Sequence, residues 1–370
     1  MSKAKLIVFS SLAMVMLFSC LELSARVWWS LKKHSLDGMV YGLRKGEHKE
    51  NVRRIEGKKF TLVRDHAGEV LYYKGEPSSD EVNPVNSRGF RGWELRTDKK
   101  GVTRIVCLGG STTYGSGQNQ RDTYPQILQD KLDEKWGAHR YEVINAGQPG
   151  FNLSCLIPYT EREIISLDPD IVLVMNINNN LDAPGFWFVE VKGRKDLNYY
   201  CTELRKFLVR HLALGLLVDN AIHRGNRGGV AQSFRTFDWR AFSQALMSDD
   251  NIWERKYLNN LHRLLNVLCA RTPKVKVLFL AEAVNSISYP EMEKPFERAT
   301  QILRELSSAY QNVDILDVHR AIIAAAMRGE QVWQSPSFDP LHLSRRGNEI
   351  IAEVVVAALS LNHRQGGEGN

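Results

Sequence analysis

Short apolar segments alternate with amphipathic segments from about residue 103 onwards. The apolar segments are rich in Val, Ile and Leu and predict buried strands at 104–108, 141–144, 171–175, 274–280 and 313–317. Between them, amphipathic patterns predict helices near 123–136, 153–167, 252–271, 295–310 and 344–361. Strands that alternate with helices pair in parallel through right-handed crossovers. The pattern therefore predicts a three-layer α/β/α domain with a mostly parallel, five-stranded sheet.

The N-terminal region and one internal segment do not follow this alternation of strands and helices. Residues 35–100 are charged and turn-rich, with one predicted strand at 58–63, and residues 181–250 interrupt the strand–helix rhythm with aromatic residues and glycines. We expect the following organisation: an N-terminal membrane segment (1–34), a juxtamembrane and N-terminal extension (35–100), the α/β domain (101–362) with 181–250 inserted as a lid over one sheet edge, and a disordered tail (363–370).

The run Leu6–Leu21 contains no charged residue, Pro or Gly. At about 1.5 Å per residue, a helix of this length approaches the roughly 30 Å hydrocarbon core of a bilayer. A tryptophan pair and a lysine pair follow it, at Trp28–Trp29 and Lys32–Lys33, as in an interfacial belt with a cationic flank. We interpret the segment as an uncleaved, single-pass signal anchor. A cleaved secretory signal and a lipoprotein signal acylated at Cys20 are the alternatives, and the flanking charges do not choose an orientation.

The charge distribution agrees with a membrane-proximal N-terminus. The 370 residues carry a net charge of +7, with 43% hydrophobic and 25% charged residues, which is typical of a globular protein. Residues 1–60 hold twelve Lys and Arg against five Asp and Glu, so the remainder is balanced at 37 against 37. A nucleic-acid-binding body would need basic residues spread over a face, so we expect no nucleic-acid partner. The five cysteines show neither metal-ligand spacing nor a disulfide framework.

Three predicted strands end in segments that could carry chemistry, since ligands of open α/β sheets bind beyond the carboxyl ends of the strands. The first segment has two glycines that permit a sharp turn and set Ser111 at the head of the next element, where backbone N–H groups converge. The second is rich in glycine and the third in asparagine, whose amide could donate to an oxyanion. An ordinary turn is the alternative interpretation of each. The segments are Gly109–Gly115, Asn145–Asn152 and Asn176–Asn180.

Two further loops contain candidate functional residues. Asp339 and His342 are three positions apart near the C-terminus, where a histidine base and the carboxylate that orients it could serve one site. A turn residue and a surface histidine are the alternative interpretation of this pair. In the glycine-punctuated loop at 86–92, we interpret Arg88 and Arg91 as salt-bridged loop residues rather than as ligands for an anionic substrate.

In this order, the Gly-Gly-Ser turn, the Gly-Gln-Pro-Gly segment, the asparagine cluster and the Asp-Pro-Leu-His motif resemble the four sequence blocks of the SGNH (GDSL-like) hydrolase family. The resemblance implies a flavodoxin-like SGNH hydrolase fold, with Ser111 as nucleophile and with His342 and Asp339 completing a catalytic triad. It also implies an oxyanion hole formed by the backbone N–H groups of Ser111 and Gly150 and by the side-chain amide of Asn179. It implies no metal and no other cofactor.

The resemblance covers roughly residues 85–360 and departs from the family pattern at three positions. Gly110 stands where the family name places Asp, Ile177 replaces a common Gly, and Asn180 replaces an Asp. The last two departures leave the choice among Asn178, Asn179 and Asn180 open and put activity in question.

The function implied is that of a serine esterase. Its partners would be the membrane, through the N-terminal helix, and an ester-containing small molecule, lipid or glycan of the cell envelope. Family habit favours a catalytic domain on the extracytoplasmic side, in the periplasm or at the cell surface. An O-acyltransferase acting on an extracellular polysaccharide and a non-catalytic glycan-binding module are the alternatives.

Overall fold

The chain divides into two compact units, Met1–Val52 with Val191–Ser233, and Arg53–Glu190 with Phe234–Asn370. In this computed structural model the described residues are 14, 16–24, 26–27, 52–55, 58–64, 70–181, 238–247, 252–272, 274–337 and 339–367. The predicted lid at 181–250 therefore lies mostly outside the described residues. Its described part contains one helix, Trp239–Leu246.

In the first unit, the described residues between 14 and 27 are helical. The one acidic residue among them, Glu22, accepts a hydrogen bond from Arg26 Nε at 2.8 Å. Within the described part of the chain, no helix is both long and apolar enough to span a bilayer. Only part of the predicted anchor at 1–34 belongs to that described part.

The second unit is built on a five-stranded sheet. The described strands of the chain are β1 (Val52–Ile55), β2 (Lys58–Arg64), β3 (Val70–Gly75), β4 (Thr103–Gly109), β5 (Tyr141–Gly147), β6 (Ile171–Met175), β7 (Lys276–Leu280) and β8 (Val313–Leu316). Strands β4 to β8 pair in parallel throughout, in the order β5-β4-β6-β7-β8. This is the flavodoxin-like order of doubly wound sheets. The predicted five-stranded parallel sheet is confirmed.

Helices follow most of these strands. They are α1 (Ser111–Tyr114), α2 (Tyr124–Trp136), α3 (Leu153–Tyr159), α4 (Trp239–Leu246), α5 (Ile252–Arg271), α6 (Glu293–Ser307), α7 (Val318–Met327) and α8 (Arg345–Gly367). Pro158 lies inside α3, and a π turn at Thr160–Ile164 follows it. Helix α8 extends into the predicted tail and ends at a glycine pair, because nothing before Gly366 interrupts it. The sequence did not predict α7, which Asp317 caps.

Side chains that alternate along β4 divide the core between the two faces of the sheet. Val106 and Leu108 pack with residues of α3, α5 and α6, and Ile105 and Cys107 pack with residues of α2, α7 and α8. All four are fully buried. Helices therefore cover both faces, and the predicted three-layer architecture is confirmed.

The N-terminal extension packs into the same unit. Strands β1, β2 and β3 form a three-stranded sheet in which β2 and β3 pair antiparallel, and the sequence predicted only β2 of these strands. Tyr72 and Tyr73 are both buried, so β3 lacks the alternation that identifies a strand with one exposed face. The Tyr73 ring contacts the Phe151 ring edge to face, with 4.6 Å between centroids. The extension therefore reaches the segment that follows β5.

Candidate active site

The three segments that follow β4, β5 and β6 begin at neighbouring positions along the carboxyl edge of the sheet. Gly109, the last residue of β4, pairs with Gly147 of β5 and with Met175 of β6. The backbone N–H of Gln148 donates to the carbonyl oxygen of Gly109 at 3.0 Å, which ties the second segment to the first. The segments therefore meet at the carboxyl edge, where the strand order reverses.

Ser111, His342 and Asp339 form a continuous hydrogen-bonded chain at this edge. Ser111 Oγ lies 3.0 Å from His342 Nε2, and His342 Nδ1 lies 2.8 Å from Asp339 Oδ2. Ser111 is half-buried, so an ester can reach it, whereas Asp339 and His342 are 8% exposed. Both distances lie within the normal hydrogen-bond range. The arrangement can move a proton from the serine hydroxyl to an imidazole that a carboxylate holds in one tautomer.

Asp339 is held in its anionic form. Burial by itself raises the pKa of this carboxyl group, but the hydrogen bond and charge of His342 outweigh it and lower the pKa below its ordinary value. The backbone N–H groups of Leu341 and His342 add to the effect by donating to Asp339 Oδ1 at 3.0 and 3.2 Å. A carboxylate with these donors can stabilise an imidazolium.

The loop that carries Asp339 and His342 is bonded to its neighbours on two sides. The backbone N–H of Asn285, beyond β7, donates to the Pro340 carbonyl oxygen at 2.8 Å. On the other side, Gln118 Nε2 donates to the Leu343 carbonyl oxygen at 3.0 Å. The short connection between Asp339 and His342 is therefore fixed against both β7 and the loop after α1.

Asn179 is the member of the asparagine cluster that lies beside the nucleophile turn. Its Nδ2 atom donates to the Phe151 carbonyl oxygen at 2.7 Å, and a Cβ built on Gly110 would lie only 2.1 Å from that nitrogen. The packing of Asn179 therefore explains why glycine stands at position 110. Gly150 has a φ of +77°, a left-handed conformation that favours glycine.

The other asparagines of the cluster support the loop. Asn180 Nδ2 donates to the Asn176 carbonyl oxygen at 2.7 Å, and Asn180 Oδ1 accepts from the Leu153 N–H at 2.9 Å. Asn176 Nδ2 donates to the Phe151 carbonyl oxygen at 2.9 Å, as Asn179 does. Asn178 Nδ2 lies 3.4 Å from Asn179 Oδ1. Among the three residues that the sequence left open, Asn179 packs against Gly110, the residue before Ser111, and Asn180 bonds to the first residue of α3.

Arg91 forms hydrogen bonds with the backbone at the end of α1 and in the loop that follows it. It is 5% exposed, and its guanidinium donates to the backbone carbonyl oxygens of Tyr114, Gly115 and Gln118 at 2.9, 2.8 and 2.5 Å. It also lies over the Tyr114 ring, 4.7 Å from the centroid. These described partners are neutral oxygens, whereas the sequence predicted a salt bridge. A delocalised cation with five donors can satisfy several carbonyl groups of one turn at once, and this explains the difference.

The sequence patterns did not point to Glu282 or Asn285. Both follow β7, so the rule that singled out the ends of β4, β5 and β6 could have found them. Glu282 Oε1 accepts a hydrogen bond from Thr112 Oγ1 at 2.8 Å. Among the described residues, no group of His, Cys, Asp and Glu could hold a metal ion.

The family model for the GDSL-like lipase/acylhydrolase family matches residues 107–350, well over half of the chain. The matched range contains the Ser111, His342 and Asp339 arrangement. The chain therefore belongs to this family and is an ester-hydrolysing enzyme, and the resemblance seen in the sequence is confirmed at that level. No curated protein matches the chain.

Several solved structures are similar at low identity. LAE5, an alpha/beta hydrolase enzyme from the metagenome of Lake Arreo, Spain, is 17% identical, with 69% of this chain and 94% of that chain covered and a TM-score of 0.45. The lipase/acylhydrolase from Enterococcus faecalis is 16% identical, with 70% and 95% covered and a TM-score of 0.41. The acetyl xylan esterase AlAXEase is 18% identical, with 69% and 98% covered and a TM-score of 0.41.

Proposed function

We propose that this enzyme is a serine esterase in which Ser111 is the nucleophile, His342 the general base and Asp339 the residue that orients His342. The observation that carries the proposal is the hydrogen-bonded chain from Ser111 Oγ through the imidazole to Asp339, with distances of 3.0 and 2.8 Å. This geometry is the one required for activation of a serine hydroxyl by a neighbouring base.

In the first half-reaction, His342 Nε2 accepts the Ser111 proton while Ser111 Oγ attacks the carbonyl carbon of the ester. Asp339 stabilises the imidazolium that results. The tetrahedral intermediate collapses, its bond to the alcohol oxygen breaks, and His342 returns the proton to the leaving alcohol. The product bound to the enzyme is an ester of Ser111.

In the second half-reaction, a water molecule attacks the acyl carbon while His342 accepts a proton from it. The second tetrahedral intermediate then collapses, its bond to Ser111 Oγ breaks, the carboxylic acid leaves, and His342 returns the proton to Ser111. The backbone N–H groups of Ser111 and Gly150 and the amide of Asn179 stabilise the oxyanion in both steps. Support comes from the packing of Asn179 against Gly110 and from its hydrogen bond to the Phe151 carbonyl oxygen, which joins it to the Gly150 turn. Fixed donors of this kind need no reorganisation when charge develops.

Asn179→Ala is expected to lower kcat about 10²–10³-fold, the usual cost of one oxyanion donor. Asn178→Ala is expected to retain most of the activity, because the contact of its side chain is a long one with Asn179. Steady-state hydrolysis of p-nitrophenyl acetate by the full chain measures both. A larger loss of kcat in Asn178→Ala than in Asn179→Ala would show that Asn179 is not the oxyanion donor.

We further propose that the natural substrate is an O-acyl ester of a lipid, a glycan or another cell-envelope component. The support is the apolar run at 6–21 with its tryptophan and lysine flank, which we propose anchors the enzyme in a membrane as a single-pass protein. We propose an extracytoplasmic catalytic domain on the habit of the family, because the flanking charges do not choose an orientation.

Two measurements test this setting. Full-length protein is expected to stay in the membrane fraction after a salt wash. A serine-hydrolase probe that cannot cross the cytoplasmic membrane is expected to label the enzyme in cells whose outer layer has been permeabilised and whose cytoplasmic membrane is intact. Recovery in the soluble fraction, or labelling only after lysis, would contradict the anchored, extracytoplasmic location. Product formation that requires a sugar acceptor would point to acyl transfer instead of hydrolysis.

A further inference from the structure

Glu282 is a buried carboxylate that the proposed reaction does not use. It lies two residues beyond β7 and is 4% exposed. Its Oε1 atom accepts a hydrogen bond from Thr112 Oγ1 at 2.8 Å. Its Oε2 atom accepts two more, from the backbone N–H groups of Ile177 and Asn178, at 2.7 Å each.

These contacts join two parts of the candidate site. Thr112 follows Ser111 directly in α1, and Asn178 directly precedes Asn179. The carboxylate therefore links the helix that carries the nucleophile to the loop that carries the proposed oxyanion donor. Three hydrogen bonds from one side chain restrict the movement of one element relative to the other.

Burial of a carboxylate carries a desolvation penalty that a neutral side chain forming the same link would avoid. Burial raises the pKa of Glu282 above its ordinary value, and the hydrogen bonds from Asn178, Thr112 and Ile177 oppose that rise without reversing it. All three hydrogen bonds are accepted by its two oxygens, which is the arrangement that an ionised carboxylate needs. Ionisable groups with perturbed pKa values cluster at functional sites. Glu282 also interacts electrostatically with His342, the proposed general base.

We propose that Glu282 is a positioning residue of the esterase, which holds Ser111 and Asn179 at the spacing that a tetrahedral intermediate requires and whose negative charge, with that of Asp339, stabilises the His342 imidazolium. The inference rests on the proposed function. It assigns the carboxylate two separable effects, a link through Thr112 and a charge that acts on His342.

Asp339 and three tyrosines also interact with Glu282, His342 or each other. Asp339 lies on the same loop as His342 and bonds to it directly. Tyr124 of α2 and Tyr257 of α5 interact with Glu282, and Tyr289 interacts with Asp339. Burial raises the pKa of all three tyrosines, so they stay neutral through the range in which a histidine titrates.

Glu282→Gln tests the charge. The amide has the shape of the carboxylate and can still accept hydrogen bonds, but its charge is gone. We expect kcat for p-nitrophenyl acetate to fall about tenfold with KM near the wild-type value, because the imidazolium loses one stabilising charge. For the same reason the acid limb of the pH–kcat profile should move to lower pH, since a less stabilised imidazolium loses its proton sooner.

Thr112→Val and Thr112→Ser test the link. Valine has nearly the shape of threonine but cannot donate to Glu282, so kcat should fall about tenfold through loss of alignment. Serine retains the hydroxyl and should restore most of the activity. If Glu282→Gln does not fold, this pair still tests the positioning role, because Thr112 can be changed without altering the buried carboxylate itself.

Glu142→Gln is the matched control. Glu142 is also a buried carboxylate, bonded to Arg104 Nε at 2.7 Å and to the Arg96 N–H at 2.6 Å, but it lies at the amino end of β5. Its loss should lower the melting temperature and leave kcat and the pH profile unchanged. A merely structural role for Glu282 predicts the same result as this control.

The outcomes are separable from a failure of the proposed function. Equal rates in wild type and Ser111→Ala would defeat the proposed function. In an enzyme that loses activity on Ser111→Ala, wild-type kcat in Glu282→Gln or in Thr112→Val would overturn the positioning role. An unmoved acid limb in Glu282→Gln would overturn the effect of its charge on His342.

Discussion

Ser111→Ala is expected to lower kcat for ester hydrolysis by about 10⁵-fold or more, which leaves only the catalysis supplied by substrate binding and the oxyanion hole. The physical reason is that Ser111 Oγ, 3.0 Å from His342 Nε2, is the atom that forms the bond to the acyl carbon. Without it no acyl-enzyme forms, and His342 has no hydroxyl to deprotonate. Steady-state hydrolysis of p-nitrophenyl acetate by full-length enzyme measures the loss.

Ser116→Ala is the matched control for this change. Ser116 lies in the turn that follows the nucleophile helix, and its buried hydroxyl has no hydrogen-bond partner among the described residues. Removal of that hydroxyl should leave kcat close to the wild-type value. Retention of most of the activity in Ser111→Ala, or an equal loss in both variants, would show that another group is the nucleophile.

Asp339→Asn is expected to lower kcat by about 10⁴-fold while the fold persists, because asparagine neither selects the correct imidazole tautomer nor stabilises the imidazolium. The carboxylate accepts from His342 Nδ1 at 2.8 Å, whereas the amide nitrogen of asparagine could only donate there. Loss of about tenfold or less would contradict the orienting role of Asp339.

The pH dependence follows from the same contact. The pKa of Asp339 is lowered, so this group stays anionic as pH falls through the range in which His342 gains a proton. In wild type the acid limb of the profile therefore reports His342. Removal of the Asp339 charge leaves the imidazolium less stabilised and should move the limb to lower pH. Asp317→Asn, a cap that asparagine can replace, should leave the profile unchanged.

Local patterns were sufficient to predict the sheet. The five parallel strands follow apolar segments, and α5 was predicted at its observed bounds, Ile252–Arg271. The pattern failed where burial did not alternate, as in β3, where Tyr72 and Tyr73 are both buried. It also failed at α7, where ten mostly apolar residues directly follow β8 and the Asp317 cap was not recognised.

The site was predictable only as far as each residue follows a strand or belongs to a short motif. Ser111, Gly150, Asp339 and His342 meet that condition. The choice of Asn179 depends on its packing against Gly110, which no spacing reveals. The role of Glu282 depends on contacts with Thr112, 170 positions earlier, and with two backbone groups. Such contacts arise from the sheet order and cannot be inferred from neighbouring residues.

The most direct test of the proposed catalytic chemistry is covalent labelling with a fluorophosphonate, followed by mass spectrometry of the digested full-length enzyme. We expect one adduct on Ser111 in wild type, no adduct in Ser111→Ala, and labelling slowed by orders of magnitude in His342→Ala. Wild-type enzyme that carries no adduct on Ser111 would contradict Ser111 as the nucleophile, and labelling that is as fast without His342 as with it would contradict His342 as its base.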